Sequence, residues 1–172
     1  MLIAEFAGQL AVATCALVAK RGGPKIVYQA LFYPVTDTSR ESDTYEAFEA
    51  NPGLESETLR WMVRAFLPNH ADRLENLASP LLSSRGQLKQ LPPTLIITAD
   101  VDPLRSEGEA FGAKLREAGV EAAMFRALGT LHDFVMLNGM ANATSNASIE
   151  LAALRLKRAL GGAWESAAVE SD

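Results

Sequence analysis

Apolar side chains fill most positions from 5 to 21, EFAGQLAVATCALVAKR, with no polar face, and this predicts a helix enclosed on most sides. Gly22, Gly23 and Pro24 end it, because glycine caps a helix C-terminus and proline cannot continue one. The next run, IVYQALFYP at 26–34, is β-branched and aromatic and stops at Pro34, which predicts a strand. Residues 35–53 are polar and predict a loop holding at most a short helical turn. From 56 to 67, Leu59, Met62, Val63 and Phe66 recur at helical spacing behind Ser56, a candidate N-cap. Residues 67–93 carry turn residues throughout and predict irregular chain.

The pattern changes at TLIITA, 94–99, a near-continuous apolar run that suits a strand buried on both faces. RSEGEAFGAKLREAG, 105–119, predicts a helix with Ser106 and Glu109 spaced as a capping box and Gly119 as its stop. EAAMFRAL, 121–128, predicts the next strand, and a last helix covers 145–160 and stops at Gly161 and Gly162. Strand, helix and strand with short joints imply parallel pairing through a right-handed crossover. The expected fold class is α/β, with about three parallel strands and flanking helices. We expect a single domain over 1–162 and a frayed tail over 163–172.

Composition narrows this picture. A chain of 172 residues, 48% hydrophobic and 22% charged, suits one globular domain with a core of its own. A net charge of −5 without clustered Lys or Arg argues against nucleic acid as a partner. The single cysteine, Cys15, forbids an intrachain disulfide, suits a reducing compartment, and reads as a small core residue. The N-terminus places Glu5 ahead of any Lys or Arg, unlike a signal peptide. The uncharged stretch between Glu5 and Lys20 is shorter than the roughly 20 residues of a membrane span. A cytoplasmic protein with no membrane span is expected.

Candidate chemistry follows from topology. In parallel sheets, ligand groups sit in loops just beyond the carboxyl ends of strands. One such loop, TADVDPL, offers Asp100 and Asp102; the other, GTLHDF, offers His132 and Asp133. If the two strands are neighbours, a carboxylate can hold one nitrogen of the imidazole and leave the other to act as a base. The pattern alone leaves a plainer reading open, since Asp before Pro is a common turn residue and a lone His is often a surface group. His70 lies in a distant polar stretch and reads as a surface residue, and two histidines so placed offer no standard metal ligand set.

The stretch LPPTLIITADVDPLRSEGEAFGAKLREAGVEAAMFRALGTLHDF closely resembles the C-terminal part of α/β-hydrolase esterases of the hormone-sensitive-lipase-like branch. These carry D-P-L-R-D-E-G, then a helix ending A-G-V, then G-x-x-H-x-F. KIVYQALFYPVTD, NPGL and NLASPLL are similar to the family's middle segments and stand in the same order, so the resemblance covers residues 7–160. It implies a partial α/β-hydrolase fold and a Ser-His-Asp hydrolase of small carboxylic esters that uses no cofactor. By position, Asp102 matches the triad acid and His132 the base, while Asp100 falls where the family varies.

The resemblance also implies a nucleophile in a G-D-S-A-G-G elbow just before the first helix. Here that place falls on Glu5, or on Phe6 with a one-residue deletion, and no Ser or Thr precedes Thr14. A carboxylate gives a different intermediate from a serine, and a phenyl ring cannot attack. Thr14 and Cys15 lie more than two turns into the helix. The family's H-G-G-G oxyanion loop and earlier strands would lie upstream of the elbow. An acid and a base without a nucleophile are therefore expected. The alternative is a catalytically inactive truncated or split derivative, either inert or acting only through association with another chain. A third reading, His132 and Asp102 acting directly on water, predicts only a small residual rate. The 26–33 strand would present an unpaired edge and invite self-association. Leu54, Trp61, Met62 and Phe66 are candidates for lining an ester pocket, with core packing as the competing role.

Overall fold

In the computed structural model, which describes residues 7–50, 53–137 and 142–161, the middle of the sheet is β2 (Thr94–Val101). It pairs in parallel with β1 (Gln29–Phe32) on one side and β3 (Ala122–Leu131) on the other, in the order β1-β2-β3. The expected three-stranded parallel sheet is present. β2 is buried on both faces over its first six residues, as its unbroken apolar run predicts.

Two helices cover one face. α1 (Ala7–Arg21) and α6 (Arg105–Glu117) bring Val12, Cys15, Phe111 and Leu115 onto Leu31 and Ile96. On the other face, α7 (Ala143–Ala159) brings Ala152 and Leu151 onto Leu95, Ile97 and Ala127. Successive β2 residues thus serve opposite layers, the alternation a pleated strand imposes. A third cluster gathers Leu54, Leu59, Met62 and Val63 of α3 (Ser56–Phe66) and the loop before it with Val35, Tyr45 and Leu104, beyond the carboxyl ends of β1 and β2.

Several element boundaries differ from the sequence reading. β1 is shorter than 26–34: its pairing begins at Gln29, opposite Thr94, because Pro92 and Pro93 precede the partner strand. β2 and β3 run past their expected ends at 99 and 128 into loop-like sequence. α1 is less enclosed than its composition suggests. Only Gln9, Val12 and Cys15 are buried, a single stripe, while Leu10 is 39% exposed. Evenly spread small apolar residues carry no phase, so the sequence could not show which stripe packs.

The caps also differ. Ser106 and Glu109 form no capping box, because α6 starts one residue before Ser106, and Glu109 turns to Arg126 at 2.7 Å. The start is instead prepared by Asp102, whose Oδ1 accepts the Leu104 N–H at 2.8 Å. Ser56 is the first residue of α3 rather than its N-cap, and its hydroxyl donates to the Tyr45 carbonyl. Gly119 stops α6 as expected, with the Val120 N–H returning to the Leu115 carbonyl at 3.0 Å.

The expected loop turn is α2 (Asp43–Ala47). The stretch read as irregular holds α4 (His70–Arg73), a 3₁₀ turn (Pro80–Leu82) and α5 (Arg85–Leu88), the last with a capping box between Ser84 and Gln87. α7 begins two residues before its expected start, where the Asn142 side chain caps it. The expected tail over 163–172 lies outside the described residues. Among the described residues no helix is long and apolar enough to cross a membrane.

Candidate active site

β2 and β3 end side by side, and the next residue of each turns inward. Asp102 follows β2, His132 follows β3, and His132 Nδ1 stands 2.7 Å from Asp102 Oδ2. Both side chains are buried, at 0% and 1% exposure, so the pair must satisfy itself. Asp102 completes its bonding through the Leu104 amide on Oδ1, which leaves Oδ2 for the ring. A carboxylate on Nδ1 places the neutral ring's proton there and leaves Nε2 as the ring's acceptor. Nε2 lies 3.7 Å from Asp133 Oδ1. An imidazole held this way can take a proton at Nε2 while the carboxylate stabilises the resulting cation.

The surroundings hold the ring. Tyr33, buried at the end of β1, packs its ring 4.6 Å from the His132 ring and 5.9 Å from Phe134. Burial, reinforced by Asp133 and Asp102, pushes the Tyr33 phenol well above its ordinary range, so it stays protonated. Tyr33 and Asp133 both adopt positive φ, 36° and 63°, a conformation that non-glycine residues hold only where the surroundings enforce it. Ser145, at the start of α7, donates to the Phe134 carbonyl at 2.9 Å and ties down the turn after His132. On the other side, a Cβ at Gly53 would lie 3.4 Å from the His132 backbone nitrogen, so the chain at Gly53 passes close to it.

Near by, Glu107 of α6 faces the chain after β1. Its Oε1 accepts the Thr36 and Asp37 amides at 2.6 and 3.1 Å, and burial pushes its carboxyl up to about 8. Sequence reasoning missed Glu107, although a signal exists: it shares a helical face with Phe111 and Leu115, an odd place for a charge. Tyr33 was read only as strand content, and its strain has no local sequence signal.

Of the residues singled out from sequence, the fold brings Asp102 and His132 together. Asp133 lies within reach of the ring, and Asp100 bonds elsewhere, to the Gly129 amide at 3.1 Å. His70 is exposed on α4, and Cys15 is buried in the core. Leu54 and Met62 are core residues, whereas Trp61 and Phe66 are 53% and 40% exposed, so the four do not share one pocket wall. Glu5 and Phe6, the two candidates for the elbow position, lie outside the described residues. No group of three or more His, Cys, Asp or Glu among the described residues is placed to hold a metal ion.

A parallel sheet between helical layers, with a buried His and Asp at adjoining strand ends, defines a hydrolase-like α/β site. The chain belongs to the alpha/beta hydrolase fold family, whose pattern it matches over residues 7–136. It is 40% identical over 154 residues to an esterase of Fusarium pseudograminearum, covering 88% of this chain and 48% of that protein. It is 33% identical over 112 residues to the ethyl acetate hydrolase of Pseudomonas putida, covering 65% and 35% of the two chains. Among solved structures, carboxyl esterase 2 of Tuber melanosporum superposes with a TM-score of 0.88 at 39% identity, over 91% of this chain and 52% of that one. The chain thus spans about half the length of the relatives it matches.

Proposed function

We propose that the chain supplies the acid and base of a carboxylic ester hydrolase of the hormone-sensitive-lipase-like branch, with His132 as base and Asp102 as the acid that orients it. One observation carries the reading: the buried 2.7 Å contact between Nδ1 and Oδ2, in a chain whose similar relatives are esterases. On this reading residues 1–162 form one partial hydrolase domain, its setting is the cytoplasm, and its substrate is a small ester.

The chemistry follows the serine-hydrolase pattern. A hydroxyl presented at Nε2 gives its proton to His132 as its oxygen attacks the ester carbonyl carbon, while Asp102 stabilises the imidazolium. His132 then passes that proton to the departing alkoxide, and the acyl group remains on the hydroxyl oxygen. Water, deprotonated by His132, attacks the acyl carbon; the acid leaves, and the proton returns to the hydroxyl oxygen. Thr14 and Cys15 do not serve, since Thr14 donates to Leu10 within α1 and Cys15 is buried in the core. The reading requires a hydroxyl at the elbow position, where this chain carries Glu5 or Phe6.

A second reading, an inert derivative that works only in association with another chain, draws support from β1, an edge strand among the described residues. One experiment addresses both. The N-terminal half of the Fusarium esterase, joined ahead of residue 7, should restore hydrolysis of p-nitrophenyl butyrate. Asp102→Asn should lower that rate by about 10⁴-fold, and His132→Ala by a comparable factor. A folded chimera without turnover, or with turnover indifferent to His132, refutes the acid–base assignment. A His132-dependent rate from the 172-residue chain alone refutes the inert derivative.

A further inference from the structure

His132 meets Asp102 because the sheet is irregular just before them. Ala99 pairs with Ala127, yet Val101 pairs with Leu131, so β3 carries two more residues than β2 between those pairs. Had the earlier register continued, Asp102 would face Thr130, and His132 would lie two residues, about 6.6 Å, too far along the strand. The bulge draws His132 back level with its partner.

A bulge leaves backbone groups without ladder bonds and must be held by other means. Three features hold this one. Gly129 takes φ +70, where a side chain would be strained. Thr130, buried in the bulge, donates its hydroxyl to the Ala127 carbonyl at 2.6 Å. Asp100 reaches across from β2, and its Oδ2 accepts the Gly129 N–H at 3.1 Å. Asp100 is itself held, since Arg105 Nη1 donates to its carbonyl at 2.6 Å and stands 3.7 Å from Oδ1. The Arg105 guanidinium in turn lies 5.0 Å above the Phe48 ring.

We propose that Asp100 is a positioning residue for this site: its bond to the Gly129 amide fixes the bulge in the one register that sets His132 against Asp102. This deepens the acid–base reading and rests on it. Asp100 touches neither substrate nor imidazole, and it acts through the backbone of β3.

The test is proton NMR on the isotopically labelled 172-residue chain. It follows the downfield Nδ1–H resonance of His132, assigned by its loss in His132→Ala, and hydrogen exchange at the Gly129 amide. Asp100→Ala should speed exchange of both protons about tenfold, and Asp100→Asn, which keeps an acceptor oxygen, should bring both back to within about twofold. General destabilisation would instead speed exchange across the whole sheet in both variants. An Asp100→Ala chain with unchanged His132 and Gly129 behaviour overturns the proposal. If Asp100→Ala does not fold, Asp100→Ser, too short to reach Gly129, is read for the same two outcomes. Asp102→Ala separates the two ideas: if it leaves the His132 resonance unmoved, the acid–base pair itself is refuted.

Discussion

Glu107 is buried on α6 with two backbone amides donating to one of its oxygens, and its carboxyl is raised to about 8. An unfolded glutamate titrates near about 4.3, so the folded chain holds this proton more tightly than the unfolded chain does. The sign follows: the stabilisation is complete below the unfolded value and is lost as the pH rises through the folded one. Glu107→Gln keeps an acceptor for Thr36 and Asp37 and cannot ionise. Urea denaturation from about pH 5 to about pH 9 should show the variant gaining on the parent as pH rises, and exceeding it at the alkaline end. An identical pH dependence in both would mean that Glu107 does not titrate in this range. At this scale the sequence was legible where chemistry and topology coincide. Asp102 and His132 stand where two expected parallel strands end, although the bulge in β3 that sets them level has no signal in the pattern. Glu107 is marked only by its place on an apolar helical face, and its partners, like the Gly129 amide that Asp100 accepts, lie on distant segments that no local pattern encodes.

Among the elements, α1 and α7 are the two whose placement can be tested by single substitutions. Gly8 lets α1 approach the chain after β1: a Cβ there would come within 2.7 Å of Pro34 Cβ and 3.0 Å of its Cα. Proline cannot swing aside, so Gly8→Ala must push the helix outward and should cost about 1–3 kcal/mol by denaturant unfolding. At α7, the Asn142 side chain accepts the Thr144 and Ser145 amides at 2.9 and 3.0 Å. Asn142→Ala should cost about 0.5–2 kcal/mol and loosen the Phe134 turn that Ser145 holds. Strand and helix identities were readable because β-branched runs and helical spacing are local. Their ends were not, since strand length is decided by the partner's prolines and by the bulge. α1 shows the limit well: Ala, Leu and Val on every side gave the helix but hid the stripe through Gln9, Val12 and Cys15 that packs.

For the molecule as a whole, the testable feature is the outer edge of β1. Gln29 and Tyr33 donate their amides inward to Pro93 and Ile97, so by alternation the Ala30 and Phe32 amides point away from β2. Static light scattering should give a mass above the 18.5 kDa of one chain, growing with concentration. Ala30→Pro removes an outward donor while sparing the ladder to β2, and should return the mass toward that of a monomer. A chain that stays monomeric at all concentrations would rule out edge-driven association. Cys15 offers a view of the same architecture in time. It is the chain's only thiol, it lies between α1 and the sheet, and burial pushes its ionisation up. A disulfide reagent can therefore modify it only in moments when the helix lifts away, and the speed of that colour change clocks how often the layer opens.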